Sequence, residues 1–111
     1  MNDIEKLIHD WRANVGEYAK AKADHDYLYE FRKSLKAILM TEALKEGIDK
    51  ANAQERYAYA HKRYTELLDG LRVATEKAED LRYRMKIAEA RVEVWRTKQA
   101  NSRREKSMYN A

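Results

Sequence analysis

At 111 residues, with 38% charged side chains, three glycines and neither proline nor cysteine, the chain has almost no material for turns, strand punctuation, disulfides or thiolate chemistry. No apolar run approaches the roughly 20 residues that cross a bilayer, and Met1 to Asp10 lacks the basic-then-apolar order of a signal peptide, so a single cytoplasmic helical domain, residues 1–111, is the expectation. The formal charge of +4 lies wholly at one end: from Arg91 onward six cations stand against Glu93 and Glu105, while the preceding residues balance. Such asymmetry suits a nucleic-acid or acidic-partner contact, or a solvated helix end whose cations complement the macrodipole.

Asn2 or Asp3 suits the N-cap of a first helix, about 3–46, interrupted only by Gly16. Its apolar stripe includes Ile4, Leu7, Ile8, Trp11, Val15, Tyr18, Leu28, Phe31, Leu35, Ile38 and Leu39. Heptads counted from Ile4 also place Asn14, His25 and Arg32 on the seam, so part of this helix faces elsewhere. Gly47, Ile48 and Asp49 read as the turn, with Gly47 a left-handed C-cap and Asp49 the N-cap of the next helix.

The second helix is expected over about 50–106. Alternate steps of four and three residues land on Ala53, Tyr57, Ala60, Tyr64, Leu67, Leu71, Ala74, Ala78, Leu81, Met85, Ala88, Val92 and Trp95, all apolar or aromatic. A repeat held over that length is a coiled-coil seam. A break near 60–62 stays open, which would make residues 50–60 a short separate helix. Gly70 inside the pattern costs ~1 kcal/mol against Ala and asks for a reason.

The flanking charges pair the two helices. Asp10 matches Arg91, Glu17 matches Arg84 and Asp24 matches Lys77, and the next rung sets Phe31 against Gly70. These rungs centre a hairpin between residues 50 and 51, close to the turn chosen from Gly47. Exposed ion pairs are worth about 0–1 kcal/mol each, so they specify register more than they stabilise. The fold class is therefore all-α, a long antiparallel helical hairpin of coiled-coil type. On this register residue 1 meets residue 100, and roughly the last ten residues project past the partner helix.

Apolar side chains remain outside the seam: Val73, Ile87 and Val94 at one heptad position, Tyr59 in register with them, and Ile8, Val15, Tyr27, Tyr29 and Met40 elsewhere. A two-helix hairpin gives each helix one neighbour, so dimerisation into a four-helix bundle is the expected use of this stripe, with a surface for another protein as the alternative. Tyr27, Tyr29, Tyr59, Val73, Ile87 and Val94 are the candidate oligomer or partner interface.

Catalytic and metal patterns are absent from the sequence. His9, His25 and His61 are far apart, and Asp24-His25-Asp26 fans out on a helix with no second ligand one turn away. No catalytic residue, metal ligand or cofactor is expected. The best candidate site is the basic cluster Arg96, Lys98, Arg103, Arg104 and Lys106, which would hold phosphate without reading sequence and would release it as salt rises.

Three stretches, Tyr29 to Ala37 (YEFRKSLKA), Glu55 to Ala60 (ERYAYA), and Leu71-Arg72-Val73-Ala74 leading to Glu93-Val94-Trp95-Arg96, resemble small α-helical proteins of tailed phages and prophages found near recombination genes. The resemblance covers roughly residues 27 to 105, with moderately specific motifs. The family pattern carries a proline after the small residues near 61, where this chain has Lys62. The resemblance implies a non-enzymatic accessory of phage DNA recombination or replication in the host cytoplasm, binding DNA or a DNA-processing protein. Other classes are an inhibitor of a host nucleic-acid enzyme or defence nuclease, gripping its target by a helical face, and a structural oligomer or scaffold.

Overall fold

The computed structural model describes residues 1–109, and its regular structure is three helices: α1 (Asp3–Lys45), α2 (Ala51–Ala60) and α3 (Lys62–Tyr109). The start of α1 is a reciprocal capping box. Glu5 donates its backbone N–H to Asn2 Oδ1 at 2.9 Å, and the Asn2 N–H donates to Glu5 Oε2 at 3.3 Å, which satisfies two donors that helix geometry leaves orphaned. At its other end Gly47 takes φ +93°, the Ile48 N–H reaches the Ala43 carbonyl and the Gly47 N–H reaches that of Leu44, both at 3.0 Å. This doubly bonded left-handed turn is the glycine cap expected from the sequence.

Asp49 does not cap α2. Lys50 occupies the cap position in extended conformation with no side-chain cap bond, and Asp49 stands one residue outside it. The turn consumes one more residue than the sequence suggests, because Ile48 is tied back to Ala43. Gln54 Nε2 donates to the Ile48 carbonyl at 2.9 Å and anchors the new helix to the turn.

The break left open near 60–62 falls at His61, which is extended (φ −68°, ψ 140°) and separates α2 from α3. Its N–H donates to the Ala58 carbonyl, its own carbonyl accepts from Tyr64 and Thr65, and its Nδ1 accepts from the Arg63 N–H at 3.0 Å. One residue thus ends one helix and caps the next. The repeat is interrupted there: Ala60 is exposed, and Tyr59 lies on α2 whereas Val73 lies on α3. From Tyr64 to Trp95 every expected seam position is buried or half-buried.

The chain divides into two compact units, one of residues 20–78 and one of residues 1–19 with α3 from Glu79 onward. In the first, all three helices feed one core: Leu35 and Leu39 of α1, Ala58 of α2 and Tyr64 of α3, with Phe31, Met40 and Leu67 packed against them. Leu39, Ala43 and Ala58 have no exposure. Lys36 reaches Glu55 at 3.1 Å and Arg63 reaches Glu42 at 2.8 Å, tying α2 and the start of α3 to α1. Gly70 and Phe31 line a common cavity here, yet a Cβ on Gly70 would meet nothing within 4 Å, so no close approach explains this glycine.

The other unit is a pair of antiparallel helix ends. Leu81, Ala88 and Val92 of α3 are buried, and Ile4, Leu7, Trp11, Asn14 and Tyr18 of α1 are half-buried. Asp3 shares a groove with Lys98, and Asp10 shares another with Arg91, which is the expected register. Among the described residues, however, none of the rungs Asp10–Arg91, Glu17–Arg84 and Asp24–Lys77 closes into an ion pair, and Arg84 turns instead to Asp80 at 2.9 Å on its own helix. Long exposed side chains find an i,i+4 neighbour at less entropic cost than a partner across the seam. Among the described residues no helix is long and apolar enough to cross a membrane.

Candidate functional site

Past Lys98, which lies across a groove from Asp3, the last eleven described residues of α3 are all exposed. At 1.5 Å per residue they extend about 16 Å beyond the start of α1. Arg103, Arg104 and Lys106 lie on this end, and no hydrogen bond or ion pair engages their side chains among the described residues. The segment continues the helix of α3 without a packing partner, and its cations sit where the macrodipole favours them.

The five predicted basic residues do not form one patch. Helical periodicity puts Arg96, Arg103, Arg104 and Lys106 on one half of α3 and Lys98 on the other. Arg96 is held by Glu93 at 3.1 Å. Lys98 rims an apolar groove with Lys6 and Arg91. What remains open for an anionic ligand at the end itself is the trio Arg103, Arg104 and Lys106, with Arg96 behind it on the same face.

The predicted interface residues are likewise dispersed. Tyr27 stacks on Phe31 with ring centroids 6.0 Å apart, and the Arg32 guanidinium lies over the Tyr29 ring at 3.8 Å. Tyr59 is engaged within the fold, edge-on to Tyr64 at 5.2 Å and beneath Lys36 at 4.9 Å. Val73 is exposed on the three-helix unit, whereas Ile87 and Val94 line one groove of the other unit together with Leu7 and Trp95. Reasoning from sequence assigned Trp95 to the seam and Leu7 to the stripe of the first helix; both are half-buried and also line this groove.

Lys36 and Tyr57 are among the side chains whose environments shift their protonation. Lys36 is held above the usual lysine range by Tyr59 and then by Glu55, and Tyr57 is pushed up by burial and then by Glu46 and Glu42. Both belong to the packing of α2 on α1. His25 is half-buried on the α1 stripe, with Nδ1 3.0 Å from Asp26. No group of three His, Cys, Asp or Glu side chains suited to a metal ion occurs among the described residues.

Set beside known protein families, curated proteins and solved structures, the chain matches none of them. What it binds has to be read from its own surfaces.

Proposed function

We propose that the protein is a non-enzymatic accessory of phage DNA recombination or replication that holds the nucleic-acid backbone with the free end of α3. The observation that carries this is the end itself: Arg103, Arg104 and Lys106 are exposed, unengaged among the described residues, and set beyond the reach of α1. Guanidinium and ammonium groups on a bare helix complement phosphate and offer no fixed geometry for reading bases, so binding is general for sequence. The phage setting rests on the family resemblance of residues 27 to 105 alone.

Pairing of two copies into a four-helix bundle is the weaker reading. Around Ile87 and Val94 the rim is mostly cationic, and a second copy would bring like charges face to face. Gripping a host nuclease by a helical face remains the competing function, and it places the critical residues on the groove rather than on the end.

The test is binding to single- and double-stranded DNA across a salt series, with mass measured by light scattering on the same samples. Salt-sensitive binding at micromolar protein is expected. Replacing Arg103, Arg104 and Lys106 by Ala should flatten the slope of log K against log salt by about 2 to 3, the loss of three phosphate contacts. Absence of binding at low salt, or binding that the triple variant keeps, refutes the proposal.

A further inference from the structure

The two-helix unit carries an open groove of about 570 Å³ with Leu7, Ile87, Val94 and Trp95 on its floor. Its rim holds Lys6, Arg91 and Lys98 against a single acid, Asp3. None of the three cationic side-chain groups is in a hydrogen bond or ion pair among the described residues. Ile87 and Val94, one heptad apart on α3, are 54% and 53% exposed. Full burial of such side chains is worth about 1.5–3 kcal/mol each, and with about half of each still exposed, roughly half of that contribution is left unused.

The three-helix unit shows what fills such a space. There α2 lies against α1 and α3 and buries Ala58 completely in a shared core. The unit built from the helix ends has only two helices and no third wall.

We infer that this groove receives a helix of a partner protein, one that carries aliphatic side chains along one face and acids along the flanks of that face. Apolar anchors at i, i+3 or i+4, and i+7 match the heptad spacing of Ile87 and Val94 and would complete a three-helix bundle. Flanking Glu or Asp would meet Lys6, Arg91 and Lys98, the rim positions that fix orientation in helix pairing. A second copy would present the same cations and is disfavoured by charge. A DNA strand would satisfy the cations and leave the apolar floor wet. The groove is separate from Arg103, Arg104 and Lys106, so its occupancy does not depend on DNA binding at the end.

The chain's two tryptophans make the test direct, since Trp95 floors this groove and Trp11 lines a different one. In the full chain carrying Trp11→Phe, emission excited beyond the absorption of the eight tyrosines reports on Trp95 alone. The probes are a synthetic helix of about 20 residues with Leu along one face and Glu on both flanks, free of aromatics, and the same helix with Lys in place of Glu. Titration with the Glu helix should shift Trp95 emission to the blue with micromolar affinity that falls roughly tenfold from low to high salt. Ile87→Ser with Val94→Ser should weaken it at least tenfold while circular dichroism keeps the helical signal, because both side chains are exposed in the free protein. The Arg103→Ala, Arg104→Ala, Lys106→Ala variant should bind the Glu helix unchanged, which separates this inference from the DNA proposal. Equal binding of the Lys helix, no emission change with the Glu helix, or a free protein that light scattering shows to be a dimer sealed at Trp95 would each overturn it.

Discussion

The backbone N–H of Arg63 points at Nδ1 of His61, 3.0 Å away, so an imidazole does for α3 what a Ser or Asp does at most helix starts. Nδ1 acts as an acceptor in this bond. Lys62 is then the first residue of α3, and the residue before it is already in the extended conformation that proline imposes on its predecessor. Lys62→Pro is expected to change stability by less than about 1 kcal/mol, whereas Lys77→Pro inside α3 should cost ~3 kcal/mol or more. Calorimetric melting of the two variants checks this, and a large loss from Lys62→Pro would mean that the helix runs through residue 61.

Gly16 and Gly70 lie inside helices, and a methyl group added at either would meet nothing within 4 Å. Substitution of either by Ala should raise stability by about 1 kcal/mol through helix propensity alone. A higher denaturant midpoint with an unchanged slope is the expected readout.

Leu39 is wholly buried in the three-helix core, and Val73 is more than half exposed. Leu39→Ala should cost about 2–5 kcal/mol, and Val73→Ala less than about 0.5 kcal/mol. Urea unfolding of both distinguishes core from surface stripe, and a large effect at Val73 would reveal a partner that covers it.

Lys36 and Tyr57 both hold their protons more tightly in the folded chain than in the unfolded one. Their contribution is therefore complete below the ordinary values of 10.5 and 10.0 and disappears as the pH climbs through the raised folded values. Asp26 behaves oppositely: Lys22 and His25 lower it, so its contribution is present above 3.8 and is lost as the pH falls. Melting temperature should decline on the alkaline side above about pH 10, and Lys36→Met with Tyr57→Phe should flatten that decline.

The heptad repeat announced the buried positions from Tyr64 to Trp95, because a 3.5-residue period leaves few ways to arrange an apolar face. The Gly47 cap was equally plain, since it acts through local backbone geometry, whereas the first N-cap stayed open between Asn2 and Asp3 and the return bond to Glu5 was not read from the sequence. The helix end at His61 was harder to place. Ala58-Tyr59-Ala60 contains no breaker, and the spacing of Tyr57, Ala60 and Tyr64 continues the repeat. The end is set by tertiary packing of Ala58 and Tyr59 against α1, which no local pattern records. The same holds for the surfaces. Charge counting found the basic end, and helical periodicity separates Lys98 from Arg103 and Arg104, but that Lys98 rims an apolar groove depends on which side of α3 faces α1.

The glycine turn also imposes an order in time. The bonds from Ile48 to Ala43 and from Gly47 to Leu44 close loops of a few residues, and Leu39 meets Ala58 across a short stretch of chain. Loop closure there costs little entropy, whereas bringing Lys98 beside Asp3 encloses almost the whole chain. Folding should run as a zipper from Gly47 outward, and thermal fraying should run the opposite way. The cations of the proposed DNA contact therefore sit on the segment that is last to gain order and first to lose it, and a bound strand would stabilise that end of α3 itself rather than join it to α1.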